Sequence, residues 1–143
     1  MCRIPIMCRI PIVLILACVA LPCWAQSRLD FDLCGAKGDP DANIRGCTAV
    51  IQKGGTDYGI YLQRALAYLN KGLYANAIAD FTKVIALDPK DHSYYALRGL
   101  AYERKGQRAQ AIADYRTAVR LNPPDSSVAK GAQARLKALN ATP

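Results

Sequence analysis

The stretch YLQRALAYLNKGLYANAIADFTKVIALDP, residues 61–89, decides the fold because a similar stretch follows it in the chain. A shift of 34 places it on YALRGLAYERKGQRAQAIADYRTAVRLNP, residues 95–123. Over the aligned residues 58–89 and 92–123, fourteen of 32 pairs are identical. Self-similarity at such a period is typical of proteins built by stacking one supersecondary unit.

Each copy predicts two helices separated by a glycine turn. Apolar residues recur at helical spacing in both halves of the first copy. They are Tyr61, Ala65, Tyr68, Leu69, Ala77, Ile78, Phe81, Val84 and Ile85. Gly72 and Gly106 supply the left-handed caps that end the first helix of each copy. Pro89 follows the second helix, and Asp91 is the predicted N-cap of the next one.

The unit resembles the tetratricopeptide repeat, a family with 34 residues per unit, small residues where its two helices cross, and a terminal proline. The small residues here are Ala65 with Ala77, and Gly99 with Ala111. The resemblance implies an all-α solenoid of antiparallel helix pairs that acts as a protein-interaction module. We therefore expect a solenoid that ends in a C-terminal capping helix.

The period divides the chain into five segments. They are a signal peptide (1–25), a degenerate N-terminal unit (26–57), two full units (58–91 and 92–125), and a capping helix with its tail (126–143). In the degenerate unit Phe31 and Asn43 replace the small crossing residues, and Asp39 followed by Pro40 predicts a helix start. The capping helix has one apolar stripe. Its residues are Val128, Ala132, Leu136 and Leu139.

The N-terminus predicts export. Its first residues are the hexapeptide MCRIPI twice, so Met1 and Met7 are both candidate starts. The uncharged run Ile10–Trp24 is shorter than the roughly 20 residues of a membrane span. It is typical of a signal peptide cleaved before Gln26, which leaves no stable span and predicts a periplasmic or secreted protein. An uncleaved anchor and a lipid-modified cysteine are the alternatives.

Only two of the six cysteines remain after that cleavage, Cys34 and Cys47. They fall on the positions that hold aromatic residues in the full units, Tyr68 and Phe81 in the first of them. An even pair of cysteines in an exported protein usually forms a disulfide, so we predict one here in place of the aromatic contact. A redox or metal pair is the alternative, although no CxxC or neighbouring histidine supports it.

The positive charge is concentrated near the C-terminus. The chain carries a net charge of +8, which becomes +6 without Arg3 and Arg9, and residues 92–143 hold nine basic and three acidic groups. The predicted basic patch is Arg104, Lys105, Arg108, Arg116 and Arg120. Because no aromatic residues are interleaved with it and the chain is exported, we expect an acidic partner or an anionic surface rather than nucleic acid. A solvated face is the alternative.

By the resemblance, the first helix of each unit lines a concave groove. The implied groove residues are Leu62, Leu66, Leu69, Asn70, Ala96, Leu100, Glu103 and Arg104, and the first unit offers Arg28 and Asp32. Some family members grip a C-terminal carboxylate with lysine and asparagine, but here the matching positions are apolar, so we expect no such clamp. They are Leu62, Leu66, Ala96 and Leu100. The groove predicts a peptide or helix of an envelope partner. The alternative is an accessory subunit whose groove is filled by a second copy or by its own residues 29–33.

No catalytic constellation is present. The one histidine, His92, is expected on the surface, and no phosphate loop, HExxH or GxSxG motif occurs. Asp80 and Asp114 are equivalent by the repeat, so we expect them in surface or inter-repeat contacts. The prediction is a protein without enzymatic activity, cofactor or metal site.

Overall fold

The computed structural model describes residues 23–36, 38–89 and 91–139 of the chain. These residues form helices and connecting turns, with no strand among them, which confirms the predicted all-α class. The helices are α1 (Cys23–Cys34), α2 (Pro40–Gln52), α3 (Tyr58–Asn70), α4 (Tyr74–Leu87), α5 (Ser93–Arg104), α6 (Arg108–Leu121) and α7 (Ser127–Ala138). The predicted signal peptide lies outside the described residues except for its last three, which begin α1.

The helices pack in chain order as a solenoid. Each helix contacts the next one along the chain, and two pairs of alternate helices, α1 with α3 and α5 with α7, touch at fewer positions. In the described part of the chain, none of the helices is long and apolar enough to span a membrane. The predicted solenoid of antiparallel pairs is therefore confirmed, and its first and last helices are α1 and α7.

The turns have the chemistry that the sequence predicts. Gly72 and Gly106 adopt φ of 73° and 81°, values that favour glycine because it lacks a Cβ. The Asp39 carboxylate accepts hydrogen bonds from two free backbone N–H groups at the start of α2, where Pro40 is the first residue. The N-cap of α5 is His92 rather than the predicted Asp91, and Asp91, one residue earlier, accepts a hydrogen bond of 2.9 Å from the Ser93 N–H. These interactions satisfy backbone groups that a helix end leaves unpaired.

The core lies where small residues let the helices approach. In the α3–α4 pair, Ala65 and Ala77 are fully buried against Phe81. In the α5–α6 pair, a Cβ on Gly99 would lie only 3.0 Å from the Tyr115 ring. Ala65 and Ala77 therefore share one buried cluster in the first full unit, and in the second Gly99 approaches α6 at Tyr115. The apolar stripe of α7 covers the end of this core, with its central residues, Ala132 and Leu136, buried.

The first helix pair crosses at a different residue. A Cβ on Gly46 would lie 2.6 Å from the Asp30 carbonyl oxygen and close to the Cys34 nitrogen, so α2 touches the α1 backbone there. Phe31, placed at the crossing by the sequence alignment, is 63% exposed instead. Asn43 is buried, and its side-chain amide donates a 2.5 Å hydrogen bond to the Cys34 carbonyl. The crossing has moved by about one helical turn, which leaves Phe31 free to face solvent.

Substituting Gly46 with alanine is expected to destabilise the protein by about 2 kcal/mol, because the added Cβ meets backbone atoms that cannot move aside cheaply. Gly131 is the matched control, since it is also inside a helix but a Cβ there meets nothing within 4 Å. Gly131→Ala is expected to stabilise the protein by about 0.5–1 kcal/mol through the helix propensity of alanine. Urea unfolding of both variants measures the difference. A stability for Gly46→Ala equal to that of Gly131→Ala would contradict this helix contact.

Candidate functional site

The candidate site is the face of the solenoid formed by α3 and α5. Leu66, Leu69 and Leu100 are half-buried there, so each keeps apolar surface open to solvent. Leu62, Leu66 and Leu69 also pack against the buried residues around Phe81. The structure thus places the predicted leucines on rigid helices, partly in the core and partly available to a ligand.

The centre of this face is a hollow between α3 and α5. Its lining residues are Leu69, Asn70, Tyr74, Leu100 and Arg104. Asn70 and Arg104, two of the predicted groove residues, are exposed. Tyr74, the first residue of α4, was missing from the predicted set. It is not part of a first helix, and only the packed α3–α4 pair shows that it reaches the groove.

A second hollow lies between α5 and α7. Ala96, Leu97 and Leu100 line its α5 side, and Val128 and Arg135 belong to its α7 side. The capping helix therefore forms a wall of the groove as well as the end of the core. Leu100 belongs to both hollows and joins them into one surface.

Glu103, a predicted groove residue, holds α5 and α7 together. Its carboxylate accepts a 2.7 Å hydrogen bond from the Tyr115 hydroxyl and pairs with Arg135 at 3.2 Å. Burial, together with this hydrogen bond, raises the pKa of Tyr115 well above its ordinary value. Both carboxylate oxygens of Glu103 are thus engaged within the chain.

The groove continues toward the N-terminal end of the solenoid in two further hollows. One is lined by Ala36, Gly38, Pro40, Asn43, Gln63, Leu66, Ala67 and Asn70. The other is lined by Phe31, Cys34, Gly35, Asp57, Gly59, Ile60 and Gln63. Gln63 belongs to both hollows. Arg28 and Asp32, the residues expected from the first unit, are exposed on α1 and are not among the lining residues of these two hollows.

Residues 29–33 do not cover the groove leucines. They lie within α1, which packs mainly against α2. Leu29 and Phe31 are themselves 48% and 63% exposed. The predicted alternative of coverage by this segment is therefore wrong, because the segment is part of the solenoid itself.

Asp80 and Asp114 are buried inside the helix pairs, contrary to the expected surface or inter-repeat contacts. Asp80 accepts two hydrogen bonds from the Arg64 guanidinium, at 2.7 and 2.8 Å, within one unit. Arg64 also donates to the Thr48 hydroxyl of the preceding unit at 3.0 Å. Arg98 repeats the arrangement with Asp114 and with a threonine of α4. The recurrence of arginine sixteen residues before each aspartate was the signal in the sequence.

These arginines hold neighbouring units together. The hydrogen bond to the partner aspartate raises the pKa of Arg64 and of Arg98 above the ordinary value. Each guanidinium also lies within 5.9 Å of two tyrosine ring centres. The rings are those of Tyr61 and Tyr68 for Arg64, and of Tyr95 and Tyr102 for Arg98. The aromatic residues of the repeat therefore shield its ion pairs as well as filling its core.

The predicted basic residues are all exposed, and the structure gives them different surroundings. Arg104 lines the central hollow of the groove. Arg108 donates a hydrogen bond to the Leu139 carbonyl and so holds the end of α7. Arg116 and Arg120 lie on α6, and Lys105 follows α5. Of the five, Arg104 is the one that lines a groove hollow.

Cys34 and Cys47 are buried, and their Sγ atoms lie 2.04 Å apart. His92, expected on the surface, is half-buried, and its Nδ1 has no hydrogen-bond partner among the described residues. The part of the chain that the structure describes contains no group of three residues able to hold a metal ion.

Comparison with known proteins identifies this architecture. Residues 62–126 match the family model described as tetratricopeptide repeat. The Arabidopsis OM64 TPR domain is 28% identical with a TM-score of 0.64, over 80% of this chain and 93% of that one. The second TPR domain of human RPAP3, in complex with an HSP70 peptide, is 26% identical with a TM-score of 0.66, over 80% and 97%. The second TPR of Spaghetti (RPAP3), bound to an HSP90 peptide, is 27% identical with a TM-score of 0.56, over 70% and 86%. No curated protein matches the sequence.

Proposed function

Because residues 62–126 match the tetratricopeptide repeat model, we propose that the chain is a member of this family and that it binds a peptide or a helix of a partner protein in the groove lined by α3 and α5. The fold itself is a protein-interaction scaffold, and two structural neighbours were solved with bound peptides. The observation that carries the proposal is the row of half-buried leucines that lines connected hollows. It includes Leu66, Leu69 and Leu100.

Apolar burial supplies the binding free energy in this proposal. Each leucine already packs on the core or between helices, so little side-chain entropy is lost when a ligand covers its remaining surface. Removal of apolar surface from water is worth about 25 cal/mol per Å². An amphipathic helix or an extended apolar segment presents its side chains at the spacing that such a groove accepts.

The ligands of the structural neighbours are not transferred to this chain. The positions at which some family members grip a terminal carboxylate hold Leu62, Leu66, Ala96 and Leu100 here. A partner recognised mainly by its apolar side chains fits these residues. The proposal therefore includes no enzymatic step and no cofactor.

Leu100→Glu is expected to weaken peptide binding at least tenfold, because it places a charge where two hollows of the groove meet. Leu87→Glu is the matched control, since Leu87 is 40% exposed at the end of α4 and lines no groove hollow. Peptides selected from a displayed random library on the wild-type protein are titrated against both variants by fluorescence anisotropy. Equal affinities for wild type and Leu100→Glu would contradict the proposed groove.

Sedimentation of the wild type and Leu100→Glu distinguishes a second candidate, an accessory subunit whose groove is filled by another copy. Leu29 and Phe31 are exposed at the N-terminal end of the solenoid and offer apolar surface for a contact between two copies. A stable wild-type oligomer that the substitution dissociates would support self-association instead of a separate partner.

We also propose that the protein acts in the bacterial envelope after export. The uncharged run Ile10–Trp24, preceded by arginine, supports a signal peptide. The two cysteines that remain after cleavage, Cys34 and Cys47, form an even pair, which in an exported protein is typical of a disulfide and an oxidising compartment. The envelope partner is then a protein or peptide exposed in that compartment.

A further inference from the structure

Arg104 places a free positive charge at one side of the groove. It ends α5 and is exposed beside the hollow that Leu69 and Leu100 line. Among the described residues no carboxylate pairs with it. Asn70 and Tyr74 line the same hollow. A guanidinium, an amide and a phenol thus surround two leucines, and all three polar groups suit the binding of a carboxylate.

The nearest acidic residue in sequence cannot neutralise Arg104. Glu103 is engaged by the Tyr115 hydroxyl and by Arg135, both within hydrogen-bond distance. Residues 92–143 carry six more basic than acidic groups, so the surrounding charge is positive as well. A ligand carboxylate would find an unpaired cation in a favourable field.

The opposite side of the groove has different chemistry. The hollow between α1 and α3 includes Phe31 and Ile60, and among the residues that the structure describes no lysine or arginine lines it. Its one acidic residue, Asp57, accepts a 2.7 Å hydrogen bond from the Gly59 N–H and so caps α3. The groove is therefore apolar near α1 and cationic near the end of α5.

We infer that the groove binds its segment in one direction, with an aspartate or glutamate side chain at Arg104 and apolar side chains toward Phe31. This inference rests on the proposed function. It commits to side-chain carboxylates because Lys105 and Arg108 are also exposed beyond the hollow, so the positive charge suits more than one carboxylate. The subsite is separate from the terminal-carboxylate positions of the family, which are apolar here.

The test is a selection from a displayed random peptide library on three proteins, the wild type, Arg104→Glu and Arg120→Glu. Arg120 is the matched control, because it is an exposed arginine at the same end of the solenoid that lines no groove hollow. We expect acidic residues beside leucine, isoleucine or phenylalanine on the wild type and on Arg120→Glu. On Arg104→Glu we expect lysine or arginine in their place.

A peptide selected on the wild type is then titrated with a free and with an amidated C-terminus. Arg104→Gln is expected to weaken both forms about tenfold, the value of one hydrogen bond to a charged group. A nitroxide at the acidic end of the peptide is expected to broaden the amide signals of Arg104 and Lys105 rather than those of Phe31 and Gly59. Thermal unfolding of each variant confirms that it is folded.

The outcomes separate the inference from the proposed function. An acidic preference that survives in Arg104→Glu would overturn the inference, and so would binding that needs a free C-terminal carboxylate. If the selected peptides were apolar, lacked acidic residues and bound wild type and Arg104→Glu equally, the proposed groove would be supported and the acidic subsite at Arg104 would be contradicted. A selection that enriches no peptide on any of the three folded proteins would contradict the proposed function itself.

Discussion

Asp114→Ala is expected to lower the free energy of unfolding by about 3 kcal/mol, because it leaves the Arg98 guanidinium without a counter-charge inside the protein. The side chains of Asp114 and Arg98 are 9% and 17% exposed, and two hydrogen bonds of 2.8 and 2.9 Å join them. The loss comes mainly from the unpaired cation. It exceeds the net stabilisation that the intact pair provides.

A double variant separates these two contributions. Arg98→Met with Asp114→Leu removes both charges and keeps apolar volume, and replacement of a buried ion pair in this way is often close to neutral. We therefore expect it to recover most of the stability that Asp114→Ala loses. Asp125→Asn is the surface control, since Asp125 is 98% exposed and 3.6 Å from Lys130. That substitution is expected to change stability by less than about 0.5 kcal/mol.

Urea unfolding of the four proteins measures these differences. If Asp114→Ala unfolded within about 0.5 kcal/mol of the wild type, the pair would be behaving as a surface pair. The same substitution also tests how the units are coupled. Arg98 donates to the Thr82 hydroxyl of the preceding unit at 3.0 Å, so loss of its orientation reaches α4 as well.

The repeating part of the fold follows from local chemistry that the sequence displays. The repeat alignment identifies Ala65 and Ala77 as the small residues at the helix crossing, and both are buried in the structure. Gly72 occurs where a left-handed residue must follow a helix. Because the second full unit also has small residues, Gly99 and Ala111, at the crossing positions and Gly106 at the turn, a similar packing applies to both units.

The first unit was harder to predict because its crossing depends on a contact distant in sequence. The 34-residue shift pairs Asn43 with the crossing alanines, whereas the close contact is made by Gly46. A glycine in the middle of a helix is a signal of close approach, but its partner on α1 is known only from the structure. The hollow that includes Phe31 follows from this displacement.

The sequence predicts which residues lie along the groove, but it does not predict which of their polar groups are free to bind a ligand. Leu66, Leu69 and Leu100 do line its hollows. Glu103 lies on the same helix, yet Arg135, 32 residues later, takes one of its oxygens. Such an interaction depends on how the capping helix packs, and helical periodicity does not contain that information.

Replacing Cys34 and Cys47 together with alanine is expected to destabilise the protein by about 3 kcal/mol under oxidising conditions. The bond closes a loop between residues 13 apart, and loop-closure entropy of that size accounts for the loss. The first unit depends on this disulfide because its first helix is short. Cleavage before Gln26 would leave only Gln26–Cys34 of α1, and helices shorter than about 12 residues are marginal without tertiary contacts.

The expected effect is local as well as global. Hydrogen exchange of the α2 amides is expected to accelerate in the double variant more than that of the α5 amides, since the first unit has a neighbour on one side only. Reductant should lower the free energy of unfolding of the wild type to that of the variant and should not change that of the variant. Two thiols that react in the unfolded, secreted protein without reductant would contradict both the disulfide and the oxidising compartment.

Because Cys34 also lines the apolar hollow beside Phe31, loss of the bond should weaken the binding of peptides that reach this end of the groove. Ligands confined to the hollow at Arg104 should keep their affinity, so the cysteine variant also reports how far along the groove a partner extends.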